Sequence, residues 1–472
     1  MMNIKLTCTS VILQLLFIFQ VQGQFDPIAF TLGQDSHVNI LDVANATQIP
    51  FSVVITNHRA ASLNSGVFTC SEAGLYKFQV YSLTKSDTNL FLELYVNDKL
   101  VASLWGHTPG DYAAAGNAVI LPLMSGDFVK VMSRSQYAVN VYGTPDEIYT
   151  TFTGVQLGSL ELNFYKILLE KIFENRQTNI SYFYFHFMKT PEGSQLSAFS
   201  VTLNQHQDIL GGQNVLYNNI LTDVNGAYDV TSGVYTVPSS GLYIFHFFSL
   251  ARQNKELYQD LYHNNQYVCS IYGLTDQDWA DAGNTVLLHL KQNDEISIRA
   301  NGNNSLYGAA DQIYTTFSGA QLVTDTDMNS GQEKIIAFSV GLSHHATVTS
   351  NNKVIFDRIF LDLQHAYNQM SGEFIVPVSG LYEFNYHALG KQNGKIWLEL
   401  VHNYRYVNSL YSHTPNHYAT AGNSAVLDLD AGDVVFVKSH GDVDLYGTDK
   451  EVYCTFTGYL LAPISTNNEI VG

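Results

Sequence analysis

The chain's hydrophobic and polar residues alternate with a period of two wherever its pattern is strongest. Tyr382, Phe384 and Tyr386 alternate with Glu383, Asn385 and His387, and Tyr76, Phe78 and Val80 alternate with Lys77, Gln79 and Tyr81. This period predicts a strand with one face packed and the other wet or at an interface. Gly74, Gly241 and Gly380 stand before such strands and read as turn residues, where a missing side chain permits positive φ. Downstream, Val119-Ile120-Leu121-Pro122-Leu123 meets Ser125-Gly126-Asp127 and then Phe128-Val129-Lys130-Val131, which predicts strand, tight turn and strand. Short strands and turn signals with little helical periodicity predict an all-β sandwich.

The pattern occurs three times. The first copy carries Ala29-Phe30, Gly66-Val67-Phe68, Gly74-Leu75-Tyr76, Ala115-Gly116-Asn117, Tyr142-Gly143 and Thr151-Phe152-Thr153-Gly154. The second repeats these landmarks from Ala198-Phe199 through Ala282-Gly283-Asn284 to Thr316-Phe317-Ser318-Gly319. The third runs from Ala337-Phe338 through Ala421-Gly422-Asn423 to Thr455-Phe456-Thr457-Gly458. Solenoid units run only ~20–50 residues, so a repeat this long is a whole domain with its own core.

In this order and spacing the motifs resemble those of the globular head domain of complement C1q, over residues 25–158, 196–323 and 335–462. The resemblance implies three tandem ten-stranded jelly-roll sandwiches of the C1q and tumour necrosis factor kind, normally assembled as trimers. It also implies a structural core of Phe30, Tyr76, Phe78, Phe152, Phe199, Tyr243, Phe245, Phe317, Phe338, Tyr382, Phe384 and Phe456. No Gly-x-y run precedes any copy, which excludes a collagen stalk, and sustained heptads are missing too. Two kinds of assembly follow. The three heads of one chain form an intramolecular pseudo-trimer, or they act as separate beads or in a homotrimer of whole chains.

Residues 1–23 read as a secretory signal peptide, with Lys5, an apolar stretch from Val11 to Phe19 and small residues at its end. That places the protein outside the cell, with no membrane span expected. Residues 324–334 form a linker and 463–472 a tail, whereas the connector at 159–195 is long and poor in Gly, Ser and Pro. Three readings of the connector compete: a helix packed on the neighbouring heads, a disordered tether, or a translated intron. The remaining cysteines, Cys70, Cys269 and Cys454, occupy different places in the copies, so they are buried free thiols or one of them links chains.

The chain holds 42 acidic residues against 23 basic ones. With no basic stripe, nucleic acid and anionic membranes are poor partners. Catalytic signatures such as Gly-x-Ser-x-Gly or His-Glu-x-x-His are missing, which argues against an enzyme. The strongest binding candidate is the loop before each Ala-Gly-Asn. It offers Trp105, His107, Asp111 and Tyr112 in the first copy, Tyr272, Asp276, Asp278 and Trp279 in the second, and Tyr411, His413, Asn416 and His417 in the third. Aromatic faces beside directional polar groups suit sugars, although aromatics at strand ends also serve packing. No cofactor is assigned, but calcium is a candidate, since some members of the resembled family bind it near the trimer apex. Asp111, Asp276, Asp278 and Asp281 are the carboxylates at hand, against a need for ~6–8 oxygen donors. Asn45, Asn179 and Asn303 begin glycosylation sequons. The expected function is extracellular, lectin-like recognition in innate immunity, with a protein ligand or matrix scaffold as the alternative.

Overall fold

The computed structural model describes residues 25–41, 43–61, 63, 66–159, 197–275, 278–329 and 335–464. The expected signal peptide, the connector beyond Ser159, Asn179, Asp276 and residues 465–472 lie outside these. Strands dominate each of three domains. In the first, an inner sheet orders Val53–His58, Ala29–Gln34, Thr150–Ser159, Gly74–Leu83 and Ala114–Leu123, and every neighbouring pair is antiparallel. An outer sheet of Val67–Thr69, Phe128–Ser133, Leu90–Val96 and Lys99–Gly106 faces it. The second and third domains each pair two five-stranded sheets, the ten strands of a jelly roll, and every domain adds a two-stranded ribbon.

Each sandwich is filled by the aromatics that the alternation singles out. All twelve expected core residues, from Phe30 to Phe456, are at most 1% exposed. They contact one another edge-on or offset, as Phe338 does with Phe374, Phe384 and Phe456 at 4.9, 6.4 and 4.8 Å, the geometry that ring quadrupoles favour. Cys70, Cys269 and Cys454 are free thiols buried in these interiors, and burial raises the pKa of each, to about 12 for Cys454.

The second face of the alternating strand is an interface. All ten residues of Gly74–Leu83, Gly241–Leu250 and Gly380–Leu389 are buried. One face fills its own sandwich, and the other meets its two counterparts along an axis shared by all three domains. Leu75, Leu242 and Leu381 lie in one apolar cluster built from the three domains. In the next layer Lys77 stands with Ile244 and Glu383. Lys77 Nζ donates to Glu383 Oε1 at 2.6 Å and to Tyr459 Oη at 2.9 Å, and Tyr459 Oη donates to Glu383 Oε2 at 2.7 Å. The ion pair is fully buried, and desolvation pulls the Lys77 pKa down against the pull of Glu383.

Polar residues form the layer beyond, where Gln79 Nε2 donates to Asn385 Oδ1 at 2.6 Å and lies 3.3 Å from His246 Nδ1. Tyr81, Phe248 and His387 then close a triangle of rings, with centroids 5.8–6.1 Å apart.

One local expectation changes. Gly74, Gly241 and Gly380 do not adopt positive φ; they are the first residues of their strands. A Cβ there would sit 2.4, 2.1 and 2.6 Å from the backbone oxygens of Gly158, Val323 and Ala462, so close strand approach is what requires glycine. The linker after the second domain begins with a short helix at Asp325–Asn329. Thr324 caps it by accepting a hydrogen bond from Asp327 N at 3.1 Å.

A double-mutant cycle tests the axial ion pair. Lys77→Met should cost about 3–5 kcal/mol by leaving Glu383 buried without its cation, and adding Glu383→Leu should recover most of that loss. Chemical denaturation of the four proteins measures both steps.

Candidate recognition surface

The polar residues of the repeated motifs build the seams between domains. Asn117, in Ala-Gly-Asn of the first domain, donates through Nδ2 to Ser103 O in its own domain and to Tyr314 O of the second, both at 3.0 Å. Its Oδ1 accepts from Thr316 Oγ1 of the second domain at 2.6 Å. Asn284 makes the same bonds to Tyr453 O and Thr455 Oγ1 of the third domain, at 3.1 and 2.6 Å. Asn423 returns them to Tyr149 O and Thr151 Oγ1 of the first, at 3.2 and 2.6 Å. Backbone bonds follow the same cycle, from Ser103 N to Ile313 O, Ser270 N to Val452 O and Ser409 N to Ile148 O. The three seams are thus related by a pseudo-threefold axis.

The glycine beside each asparagine serves that axis. A Cβ on Gly116, Gly283 or Gly422 would fall 2.5, 2.0 or 2.3 Å from Tyr81, Phe248 or His387, the three rings of the axial triangle.

The aromatic loops also meet across the seams, at one end of the axis. Trp105 packs on Trp279 of the second domain at 5.4 Å, Tyr272 on Tyr418 of the third at 5.3 Å, and Tyr411 on Tyr112 of the first at 5.7 Å, all edge-to-face. Asp278 accepts from Trp105 Nε1 at 3.3 Å and pairs with His107, while His413 Nδ1 lies 2.5 Å from Asp111 Oδ2. Burial pushes the Tyr411 pKa up to about 12 and raises that of Tyr272. His417 is half-buried, and Asn416 is exposed, with its backbone N bonded to Asn393 Oδ1 at 2.6 Å. The structure therefore brings together Trp105, His107, Asp111, Tyr112, Tyr272, Asp278, Trp279, Tyr411 and His413 in inter-domain contacts, and leaves Asn416 apart.

Between these loops lies a recess of about 30 Å³, lined from all three domains by residues including Trp105, Trp279, Asp281 and Tyr418. That is room for about two water-sized groups, far short of a sugar ring. Asp281 faces Gly116 N at 3.3 Å, and burial raises its pKa. Asp111 and Asp278 are engaged by histidines, and no group of three metal-ligating side chains occurs among the described residues. Asn45 and Asn303 are exposed at the surface, and among the described residues no helix is long and apolar enough to cross a membrane.

The C1q domain model matches residues 29–157, 198–322 and 337–461. The chain belongs to the C1q domain family. Among similar C1q relatives is Complement C1q tumor necrosis factor-related protein 6 of Rattus norvegicus, 29% identical over 137 residues, covering 28% of this chain and 52% of that protein. Complement C1q tumor necrosis factor-related protein 3 of Mus musculus is 34% identical over 128 residues, covering 27% and 51%. The chain thus spans about half the length of the curated relatives it matches. Similar solved structures include the globular domain of zebrafish complement 1qA protein, at 24% identity and a TM-score of 0.23, covering 27% of this chain and 99% of that one. Murine APRIL aligns at 13% identity and a TM-score of 0.22, covering 28% and 99%.

The seam residues Asn117, Asn284, Asn423, Thr151, Thr316 and Thr455 are the ones that reading the C1q loops alone overlooks. Their signal is present in the sequence, since the same asparagine and threonine recur in the Ala-Gly-Asn and Thr-Phe motifs of all three copies.

Acid should loosen this arrangement. His387 is held neutral by burial, its pKa lowered to about 3, and that of His246 falls well below the ordinary value through burial and the nearby Lys77 and His387. The unfolded chain takes up these protons near pH 6.5, the folded one only at much lower pH, so the stability is complete above about 6.5 and lost as pH falls below it. Each histidine should cost about 2–3 kcal/mol by pH 4.5. Denaturation from pH 8 to 4.5 should show a shallower decline for the His246→Gln/His387→Gln variant than for the natural sequence.

Proposed function

We propose that this C1q domain protein is a secreted, non-enzymatic recognition molecule that binds extracellular glycans, a lectin-like and glycosylated component of innate immunity. One chain supplies the whole trimeric head. The observation supporting the single-chain head is the axial layer of Lys77, Ile244 and Glu383, where each domain contributes a different residue to one complementary contact. Three copies of any single domain would set three lysines, three isoleucines or three glutamates there, so the contact favours one of each. Such a particle holds three related but non-identical outer faces in fixed relation. Weak contacts at several faces then reinforce one another on a repetitive surface, as tethered sites do.

Light scattering on the secreted full-length protein should give the mass of one chain, and a three-chain particle would refute the single-chain head. A glycan array, read with and without EDTA, tests the ligand class. Glycan signals support the reading, their loss in EDTA would bring calcium into it, and a blank array alongside capture of a purified receptor or matrix protein would favour the protein-ligand alternative.

A further inference from the structure

We propose that the groove between the second and third domains is a subsite for a neutral, hydroxyl-rich group, a saccharide residue. This inference rests on the glycan reading above and gives it a location. The pseudo-threefold arrangement creates three equivalent grooves, each lying between an outer sheet and the loop after Tyr-Gly in the next domain, and side-chain differences distinguish them.

In the first groove Arg134 fills the space. Its guanidinium donates to Glu93 Oε1 at 2.8 Å, to Asp311 O at 2.6 Å and to Asp311 Oδ2 at 2.8 Å, while lying 5.2 Å from the Phe91 ring centroid. In the groove between the third and first domains, His440 takes the equivalent place. It stacks on Trp397 at 3.7 Å with its Nδ1 2.5 Å from Glu399 Oε1. The corresponding residue in the remaining groove is Asn301, too short to reach across. It donates to Asp260 Oδ2 at 3.0 Å and leaves a cavity of about 490 Å³, lined by Tyr258, Asn301, Thr448, Asp449, Lys450 and Glu451. That volume falls within the range of small-ligand clefts.

Charge narrows the occupant. Lys450 stands where Asp311 holds the guanidinium in the first groove, and since Asp260 and Glu451 already accept hydrogen bonds within the protein, a cation here meets the Lys450 ammonium beside Asp449. Asp260, Asp449 and Glu451 oppose an anion. A neutral ligand that both donates and accepts suits this mixture, and sugar hydroxyls do both. The groove is also pre-organised. Tyr258 Oη donates to Glu451 Oε1 at 2.8 Å, and Glu451 Oε2 accepts from Tyr446 and Thr448 at 3.0 and 3.2 Å. The half-buried Tyr258 ring offers the apolar face against which sugar C–H groups pack.

The test uses the secreted full-length protein, in its natural form and in an Asn303→Gln background that removes the neighbouring sequon. An array of neutral, sialylated and sulfated glycans is probed with the unaltered groove, with Asn301→Arg and with Lys450→Ala. Asn301→Arg puts a long side chain into the groove beside Asp260, without the Asp311 partner of the first groove, and Lys450→Ala changes only an exposed side chain, so folding is checked by unchanged melting and sedimentation. Neutral glycans should bind, with affinity falling at least 10-fold in Asn301→Arg and several-fold in Lys450→Ala. Neutral binding undiminished in both variants overturns the groove assignment and leaves glycan recognition standing. Binding confined to anionic glycans overturns the charge argument, and a blank array overturns groove and glycan reading together.

Discussion

The structure depends on burying both faces of one strand. Gly-Leu-Tyr strands that exposed their second face would present a leucine, an aromatic or imidazole ring and, in two of the three copies, a charge. Joining three copies removes all of these from water at once. Lys77 and Glu383 make this joining selective. Taking two charges out of water costs more than an apolar pair of equal size, and their attraction offsets that cost only with good geometry and satisfied hydrogen bonds. The hydroxyl of Tyr459 completes that requirement. The pair thereby contributes less to raw stability than to fixing which domain sits beside which.

Around this axis, most of the candidate ligand contacts also join neighbouring domains. The Trp, Tyr, His and Asp side chains of the loops face neighbouring domains, and one end of the head is closed by aromatic contacts. Variation is transferred to the sides. Arg134, Asn301 and His440 occupy one position in three related grooves, and together with the Asp311-to-Lys450 difference opposite they distinguish a groove bridged by a guanidinium, one left open, and one with a stacked imidazole. The scaffold stays nearly symmetric while its surface chemistry does not.

Much of the fold was legible in the sequence because alternation reports burial directly. Phe30, Phe78, Phe152 and their counterparts are inside, and the all-β sandwich followed from turns and period, whereas the ten strands came with the resemblance to C1q heads. Alternation does not say what a face is buried against. Lys77, Gln79 and Tyr81 read equally well as a wet face or an interface, and only the neighbouring domains decide it. The inter-domain packing of the loops was hidden for a related reason, since an edge-to-face pair such as Trp105 with Trp279 joins residues far apart in sequence. Gly74 was attributed to backbone conformation when its cause is a carbonyl oxygen on the adjacent strand. Nothing local distinguishes those two demands on a glycine.

The mismatched residues at the axis have a genetic consequence. Sister repeats in one gene tend to be homogenised by recombination, yet copying the first repeat's lysine codon over the third would seat two ammonium groups in a dry interior with no carboxylate. The matched set at this position therefore penalises exchange between the repeats, while positions on the exterior carry no such penalty.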